Sequence, residues 1–554
     1  MRSEESDEMK RLAQNLQLLS PVISEICQVS GSAGTSIGVA HRGKVVLRLN
    51  LGYRDVENQI APDSDTVYPI ASLTKSMTAA SFGVLVHDGQ LSWDDLVAEV
   101  YPDFLQANDT VREKATITDL LAHRTGLAGK NCYWHQSRQQ LLTPKEETAS
   151  TISILESVAK FREDFFYNNL VYSFAGVVLE RIARVSFGTF IHKKIFEPLG
   201  LRRTTIGPLP VDNVAKSYQT LDNGTSWPIP TSNIQDNTIM GSAGGAKSTV
   251  NDLLTYFGHF LSAANHQIST NSTSTEGSPF RELPALVQNH ILASTAKPNN
   301  QFYGLGLVVA ELPSTLGLVG LNPRELGDEM PIIARSTKTK TRVWYHNGSL
   351  PGAFSAVYLL PDTETVIVVL SNSLGRTDTP DWIGQLLVEA VTEEENPHDF
   401  VQIAKKTRDI HLSQYPKLQQ RMDDAQPVGT PVKPLKSYEG RYYNSIGTFF
   451  VDVAAEGEQL RMWSQGYKDV DYHLYHYDHD IFAWAADRDH DVKMAIFPKW
   501  YEGFHKVEFH TNPAGDIDRL SWGHDGAVPS GEVFQKQTAN AMAASQQKPL
   551  DKPT

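Results

Sequence analysis

A chain of 554 residues is too long for one compact core, so two or more domains are expected. Hydrophobic residues make up 40% and charged residues 21%, the balance of a soluble globular protein. The 50 Lys+Arg set against 64 Asp+Glu leave a net charge of −14 with no long basic run, which argues against nucleic acid or an anionic membrane as partner.

The chain opens on MRSEESDEMKRLAQNL, charged and without the apolar core of a secretory signal. No run approaches the ~18 apolar residues of a membrane span. Cys27 and Cys132 make neither a disulfide scaffold nor a CxxC metal knuckle. The expected location is the reducing cytoplasm.

In chain order, residues 8–29 read as an amphipathic helix. TSIGVAHRGKVVLRLNLGYRD (35–55) reads as strand, tight turn at Arg42-Gly43, strand. YPIASLTKSM (68–77) opens a helix that runs on through TAASFGVLV, and ITDLLAHRTGL (117–127) reads as a helix stopped by Gly126. Further helices are expected around 170–185 and 250–262. HQISTNSTSTEGSP (266–279) reads as a surface loop, and 311–341, a mixture of Pro, Gly and charge, as an insertion outside the core. Residues 343–373 predict consecutive antiparallel strands broken at Pro-Gly and Pro-Asp-Thr, and helical pattern resumes at 381–392. After the Pro-punctuated PVGTPVKP (427–434), alternation between Gly and Asp turns predicts an antiparallel barrel or sandwich of roughly 100 residues. The expected organisation is a catalytic domain over 1–400, a linker over 401–433, a β-barrel over 434–540 and a tail over 541–554.

Three segments are candidate nucleophile or phosphate sites. GTSIG (34–38) spells G-x-S-x-G, but Ser36 is followed by strand rather than helix, against the mechanics of a nucleophile elbow. GSAGGAKST (241–249) resembles a phosphate loop, yet Ala246 replaces the glycine before Lys247 and no core strand precedes it. Ser72 is better placed. A serine in the first turn of a helix has its own N–H free, and the positive helix end favours an oxyanion beside it. Lys75, three residues on, lies on the same face, and the apolar flank can desolvate its amine toward a base. A simple N-terminal-turn serine beside a solvated lysine is the plainer reading of the motif taken alone.

Other segments change that balance. YPIASLTKSMTAASFGVLVHDGQLSWDD, ITDLLAHRTGL, FFYNNLVYSFAGVVLERIA, IFEPLGLRRTTIG, GSAGGAKSTVNDLLTYF and YHNGSLPGAFSAVYLLPD follow one another between about residues 30 and 395. Together they resemble the serine β-lactamase-like family of class C β-lactamases, D-alanyl-D-alanine peptidases, D-aminopeptidases and esterases. The resemblance implies an α+β fold: an antiparallel sheet flanked by helices, a helical subdomain, then a lipocalin-like barrel suggested by YEGRYYNSIGTFFVDV and GDIDRLSWG. Its S-x-x-K motif falls on Ser72 and Lys75, and its Y-x-N on Tyr167-Asn168-Asn169. Its Lys-Thr-Gly falls on His346-Asn347-Gly348. The last is a departure that removes a permanent cation and puts efficient β-lactam hydrolysis in doubt.

The resemblance implies an acyl-Ser72 intermediate, with Lys75 or Tyr167 as the base and Tyr167 as acid toward the leaving group. Asn169 is suited to holding Lys75 and a substrate amide. Ser72 and Ser349 would supply backbone oxyanion donors, beside Gly348. His473, His476 and His479 lack a closed ligand set and read as solvated strand residues, with His473 and His479 on one face with Tyr475 and Tyr477. No cofactor or metal is required. The expected activity is hydrolysis of a small ester, amide or D-amino-acid-containing peptide. The alternatives are acyl transfer to a natural-product acceptor and a non-catalytic scaffold of the same fold. Oligomeric state is left open. Specificity is expected from 128–165, 218–240 and 311–341, and the barrel carries none of the three motifs.

Overall fold

The structure, a computed structural model, describes residues 2–135, 137–210, 212–295, 298–336, 340–469 and 471–537. The expected tail at 541–554 lies outside the described residues. The chain opens with α1 (Arg2–Leu18) and α2 (Ser20–Ser30) rather than one helix over 8–29. Pro21, in the first turn of α2, has no N–H to continue the ladder of α1, so the helix restarts there. β1 (Gly34–His41) and β2 (Lys44–Gly52) then form a hairpin about Arg42-Gly43.

Next come α3 (Thr74–His87), α4 (Asn169–Ala183) and α5 (Val250–Thr270). β3 (Ile291–Ser294), β4 (Gln301–Tyr303) and β5 (Val308–Leu312) lead to the short α6 (Asn322–Leu326). β6 (Thr341–Leu350), β7 (Ala353–Leu360) and β8 (Thr365–Ser371) are the expected antiparallel run, followed by α7 (Thr379–Val391). The strands form one eight-stranded sheet, β2-β1-β8-β7-β6-β5-β4-β3, antiparallel at every pairing. Its central strands β7 and β8 are buried along their whole length, because helices cover both faces.

Several sequence expectations are corrected. The 117–127 helix ends at Leu121, since His123 takes a left-handed backbone (φ 56°). α5 runs eight residues past 262 into the expected loop, because Ala263, Ala264 and Gln267 continue its buried stripe. Segment 311–341 is not outside the core: Leu316, Leu326, Met330 and Ile333 pack into it.

Most of the 401–433 stretch expected as linker is α8 (Phe400–Ala425). Phe400, Val401 and Ala404 pack under the first sheet, whereas Tyr415, Leu418 and Met422 pack against Tyr477, Ala483 and Ala486 of the barrel. Only 426–434 is an irregular connection. The barrel closes through β9 (Gly440–Tyr443), β10 (Phe450–Glu456), β11 (Gln459–Ser464), β12 (Asp471–Asp478), β13 (Ile481–Ala483), β14 (Lys506–Thr511), β15 (Ile517–Trp522) and β16 (Glu532–Lys536). Tyr475 and Tyr477 share the face of β12 that packs toward α8, but His479 lies in the turn after the strand, so the one-face expectation for His473, Tyr475, Tyr477 and His479 fails at His479. No helix among the described residues is long and apolar enough to cross a membrane.

Candidate active site

The turn that carries Ser72 is built before its helix begins. Tyr68-Pro69 pairs with Lys247-Ser248, and the Ile70 N–H donates to the Ala246 carbonyl. Ala71 is then forced to a positive φ of 47°, a conformation that costs an L-residue about 1 kcal/mol or more. The chain passes through a 3₁₀ turn, Ala71–Leu73, into α3. Thr74 Oγ locks the junction, donating to Ala71 O and accepting from Ala246 N–H. Ser72 is left half-buried at the helix mouth.

Lys75 is 0% exposed, and its Nζ lies 3.1 Å from Ser72 Oγ, 2.8 Å from Asn169 Oδ1 and 2.8 Å from the Ala243 carbonyl. No carboxylate is paired with it among the described residues. Burial therefore pulls its pKa well below the ordinary lysine value. A neutral amine has two N–H donors and one lone pair. Asn169 Oδ1 and the Ala243 carbonyl take the donors, which leaves the lone pair for the Ser72 hydroxyl.

Tyr167 lies with its ring centroid 4.9 Å from Lys75 Nζ. Burial pushes its phenol above the usual range, against the opposing effects of Ser72 and of the Arg324 charge, so it stays protonated. The segment is set by its neighbours. Asn168, the middle residue of the Tyr-x-Asn motif, caps α4 by accepting from Val171 N–H, and its Nδ2 donates to the Leu127 and Ala128 carbonyls. His123, whose ring centroid lies 4.2 Å from that of Tyr167, accepts the Asn168 N–H at Nδ1.

His346 and Gly348 lie on β6, which pairs with β5 only as far as Tyr345. His346 is 0% exposed, with Nδ1 2.6 Å from the Asn347 carbonyl and Nε2 3.0 Å from Tyr303 Oη. Burial, reinforced by Lys75, lowers its pKa to about 3, so the imidazole is neutral across the physiological range. Gly348 touches the turn that carries Ser72. A Cβ there would meet Ser355 Oγ at 2.3 Å, Ile70 O at 2.6 Å and Ser72 N at 3.1 Å. Ser349 follows it, opposite Phe354 on β7. Ser72, Lys75, Tyr167, Asn169, His346 and Gly348 are thus brought to one place. Ser36 is not among them: it is buried in β1, 2.9 Å from Tyr68 Oη.

Four contributors escaped the sequence reading. The Ala243 carbonyl belongs to the loop that failed as a phosphate site; Lys247 there donates to the Gly207 and Ile234 carbonyls instead. Gly176 of α4 lets that loop approach, since a Cβ would meet Ser242 Oγ at 2.1 Å. His123 sits in a motif recognised only as a helix. Asn131 accepts at Oδ1 from Asn169 Nδ2, 3.2 Å away, and so orients the amide that holds Lys75.

Asn131 lies on a loop clasped by the barrel. Lys130 N–H donates to Asp525, Cys132 Sγ is 2.9 Å from His524 Nδ1, and Tyr133 Oη is 2.5 Å from Glu532. Tyr133 also stacks on Phe449, with centroids 4.6 Å apart. Burial alone would raise Glu532, but His524, Lys130 and Tyr133 hold it at about 2, and its carboxylate lies 3.1 Å from Lys130 Nζ.

Comparisons with known proteins bear on the family and the fold. Residues 22–390 match the beta-lactamase family, and 424–537 match a domain of unknown function. The chain is 27% identical to protein flp of Staphylococcus aureus (strain MW2) over 193 residues, which is 34% of this chain and 38% of that protein. It is 26% identical to Gigasin-6 of Magallana gigas over 246 residues, 42% of this chain and 78% of that one. Among solved structures, the octameric penicillin-binding protein homologue from Pyrococcus abyssi shares the fold with a TM-score of 0.54 at 21% identity, covering 94% of this chain and 99% of its own. The beta-lactamase/D-alanine carboxypeptidase from Pseudomonas syringae does so with a TM-score of 0.52 at 17% identity, covering 70% and 100%.

Proposed function

Because the chain belongs to the beta-lactamase family, we propose that it is a serine hydrolase that passes its substrate's acyl group through an ester on Ser72. The observation that carries this reading is the accessible Ser72 hydroxyl 3.1 Å from a fully buried, carboxylate-free Lys75 amine. Lys75 takes the hydroxyl proton as Oγ attacks the carbonyl. The tetrahedral oxyanion is held by the N–H groups of Ser72 and Ser349, each donor worth roughly 3 kcal/mol in the transition state. As the intermediate collapses, Tyr167 gives its phenolic proton to the departing alcohol or amine, and the Lys75 ammonium restores it. Water then attacks the acyl-enzyme by the reverse route and releases free acid. The proposed substrates are small esters, amides or D-amino-acid-containing peptides.

The test is active-site labelling with a fluorophosphonate. Wild type and Ser36→Ala are expected to be labelled and Ser72→Ala unlabelled. Label mapping by peptide mass to any residue other than Ser72 would overturn the assignment. Intact-protein mass during ester turnover is expected to show a transient adduct that decays in water. An adduct that clears only on addition of an alcohol or amine would establish acyl transfer instead.

A further inference from the structure

The strand that carries Gly348 and Ser349 loses one of its two neighbours where it reaches the site. β6 pairs with β5 from Thr341 to Tyr345, and from His346 to Leu350 its strand partner among the described residues is β7 alone. A backbone oxyanion donor works by being fixed in place before charge develops. With the ladder open on one edge, something else must fix this one. Two buried side-chain ties do so, at the two residues that precede Gly348.

The first tie is at His346. Its Nδ1 lies 2.6 Å from the Asn347 carbonyl and its Nε2 3.0 Å from Tyr303 Oη. A carbonyl can only accept, so Nδ1 carries the ring proton. Nε2 is left with its lone pair and accepts the Tyr303 O–H. The phenol thereby sets both the tautomer and the tilt of the ring, and the ring in turn holds the strand backbone at Asn347. Tyr303 is itself immobilised: it is fully buried, with its ring centroid 4.9 Å from that of His123 and 5.3 Å from that of Phe165.

Tyr303 is also the last residue of β4, and the turn that follows reaches the helix of the base. Gly306 in that turn has a φ of 82°, and a Cβ there would meet Lys75 O at 2.6 Å and Ser76 Cα at 2.7 Å. One short segment therefore touches α3 at Lys75 through Gly306 and β6 at His346 through Tyr303.

The second tie is at Asn347, whose side chain leaves β6 on the opposite face from that of His346. Its Nδ2 donates to Asp381 Oδ1, 3.0 Å away. Asp381 is fully buried in the first turn of α7 and also accepts from Tyr358 Oη at 2.6 Å, Asn322 Nδ2 at 2.8 Å and Gln385 Nε2 at 3.0 Å. Tyr358 stands on β7, so one carboxylate grips both strands of the pair. All four donors are neutral. Burial raises the Asp381 pKa, and these four hydrogen bonds oppose the rise.

We propose that Tyr303 and Asp381 are positioning residues of the reaction, which lock His346 and Asn347 from opposite faces of β6 and so aim the Ser349 N–H at the oxyanion. The inference rests on the Ser72 reading and deepens it. It assigns the His-Asn pair of the third motif to holding the strand.

The test uses the full chain and two covalent probes. Diethyl 4-nitrophenyl phosphate and its thiono analogue, with P=S in place of P=O, both phosphorylate a serine hydroxyl and release nitrophenolate. Oxygen accepts hydrogen bonds from the oxyanion donors far better than sulfur does, and saturation kinetics separate the binding constant from the chemical rate. Tyr303→Phe, which removes one hydroxyl, is expected to lower the P=O rate by about tenfold or more with the binding constant kept. The P=S rate should fall less, so the preference for oxygen shrinks. Asp381→Asn is expected to do the same. Asn347→Ala cuts the same tie and leaves Asp381 its other three donors, so the second tie is tested even where Asp381→Asn unfolds. Tyr345→Phe is the control, since it removes a buried hydroxyl from the same strand whose partners are Gln301 and Leu318. It is expected to keep the wild-type preference. A preference unchanged in Tyr303→Phe or in Asn347→Ala, an equal fall for both probes, or a loss that Tyr345→Phe shares would overturn the proposal. Peptide mass separates the two readings. Phosphate mapped away from Ser72 in the wild type defeats the Ser72 reading, whereas phosphate on Ser72 with an unaltered preference in the variants defeats the positioning roles alone.

Discussion

At the scale of single residues, the site turns on the protonation state of one amine. In the proposed reaction Lys75 works as a base only while neutral, and burial without a counter-ion favours that form. As pH falls through its lowered pKa the amine gains a proton and loses its lone pair, so acylation is expected to slow on the acid side. Lys75→Arg, which cannot deprotonate, is expected to reduce the rate of Ser72 labelling by about 100-fold or more. His346 should not shape that acid limb, since its pKa lies at about 3. A kcat/KM profile of His346→Asn is expected to keep the wild-type acid midpoint whatever happens to its height. A midpoint that moves with this substitution would assign the limb to the imidazole.

At the scale of elements, the proposed oxyanion site depends on how closely β6 passes the first turn of α3. Gly348→Ala would place a methyl 2.6 Å from Ile70 O and 3.1 Å from Ser72 N, both backbone atoms that cannot rotate away. The strand and the turn must then separate, and with them the two oxyanion donors. Loss of one donor's alignment is expected to cost about 100-fold in acylation, with circular dichroism unchanged. Wild-type rates in Gly348→Ala would show that the strand does not serve the oxyanion. This is also the scale at which the sequence was most legible. The three-residue spacing of Ser72 and Lys75 marks a candidate pair, whereas Tyr167 and Asn169 are singled out only through the resemblance of the six ordered segments. Ala243, His123 and Asn131 meet the site only through tertiary contacts with residues 168, 45 and 38 positions away in the chain, and no local pattern marks them. α8 was misread for a related reason. Its stripe is split between two cores, so neither half looks like a complete amphipathic face.

At the scale of the whole molecule, the barrel is part of the site's support rather than an appendage. The sequence suggested otherwise, because the three motifs lie in the first domain. Glu532 of β16 balances Lys130, which is 2% exposed at its side chain, and shares Tyr133 and His524. Glu532→Gln is expected to destabilise the protein by about 2 kcal/mol, the cost of weakening charged hydrogen bonds to Tyr133 and His524, since Lys130 keeps Glu156 2.9 Å away. Urea unfolding would read that loss. A slower Ser72 labelling rate under native conditions would show that it travels through Asn131 and Asn169. A stable, fully active Glu532→Gln would refute the coupling. The same clasp sets an order of events in time. Cys132 and Tyr133 meet partners 392 and 399 positions further along the chain. A ribosome adding roughly 5–20 residues per second needs on the order of half a minute to cover that distance. Throughout that interval the nascent chain already holds Ser72 and Lys75, but the loop that steadies Asn169 has nothing to close on. The newborn protein therefore carries its proposed nucleophile long before the loop that steadies Asn169 can close.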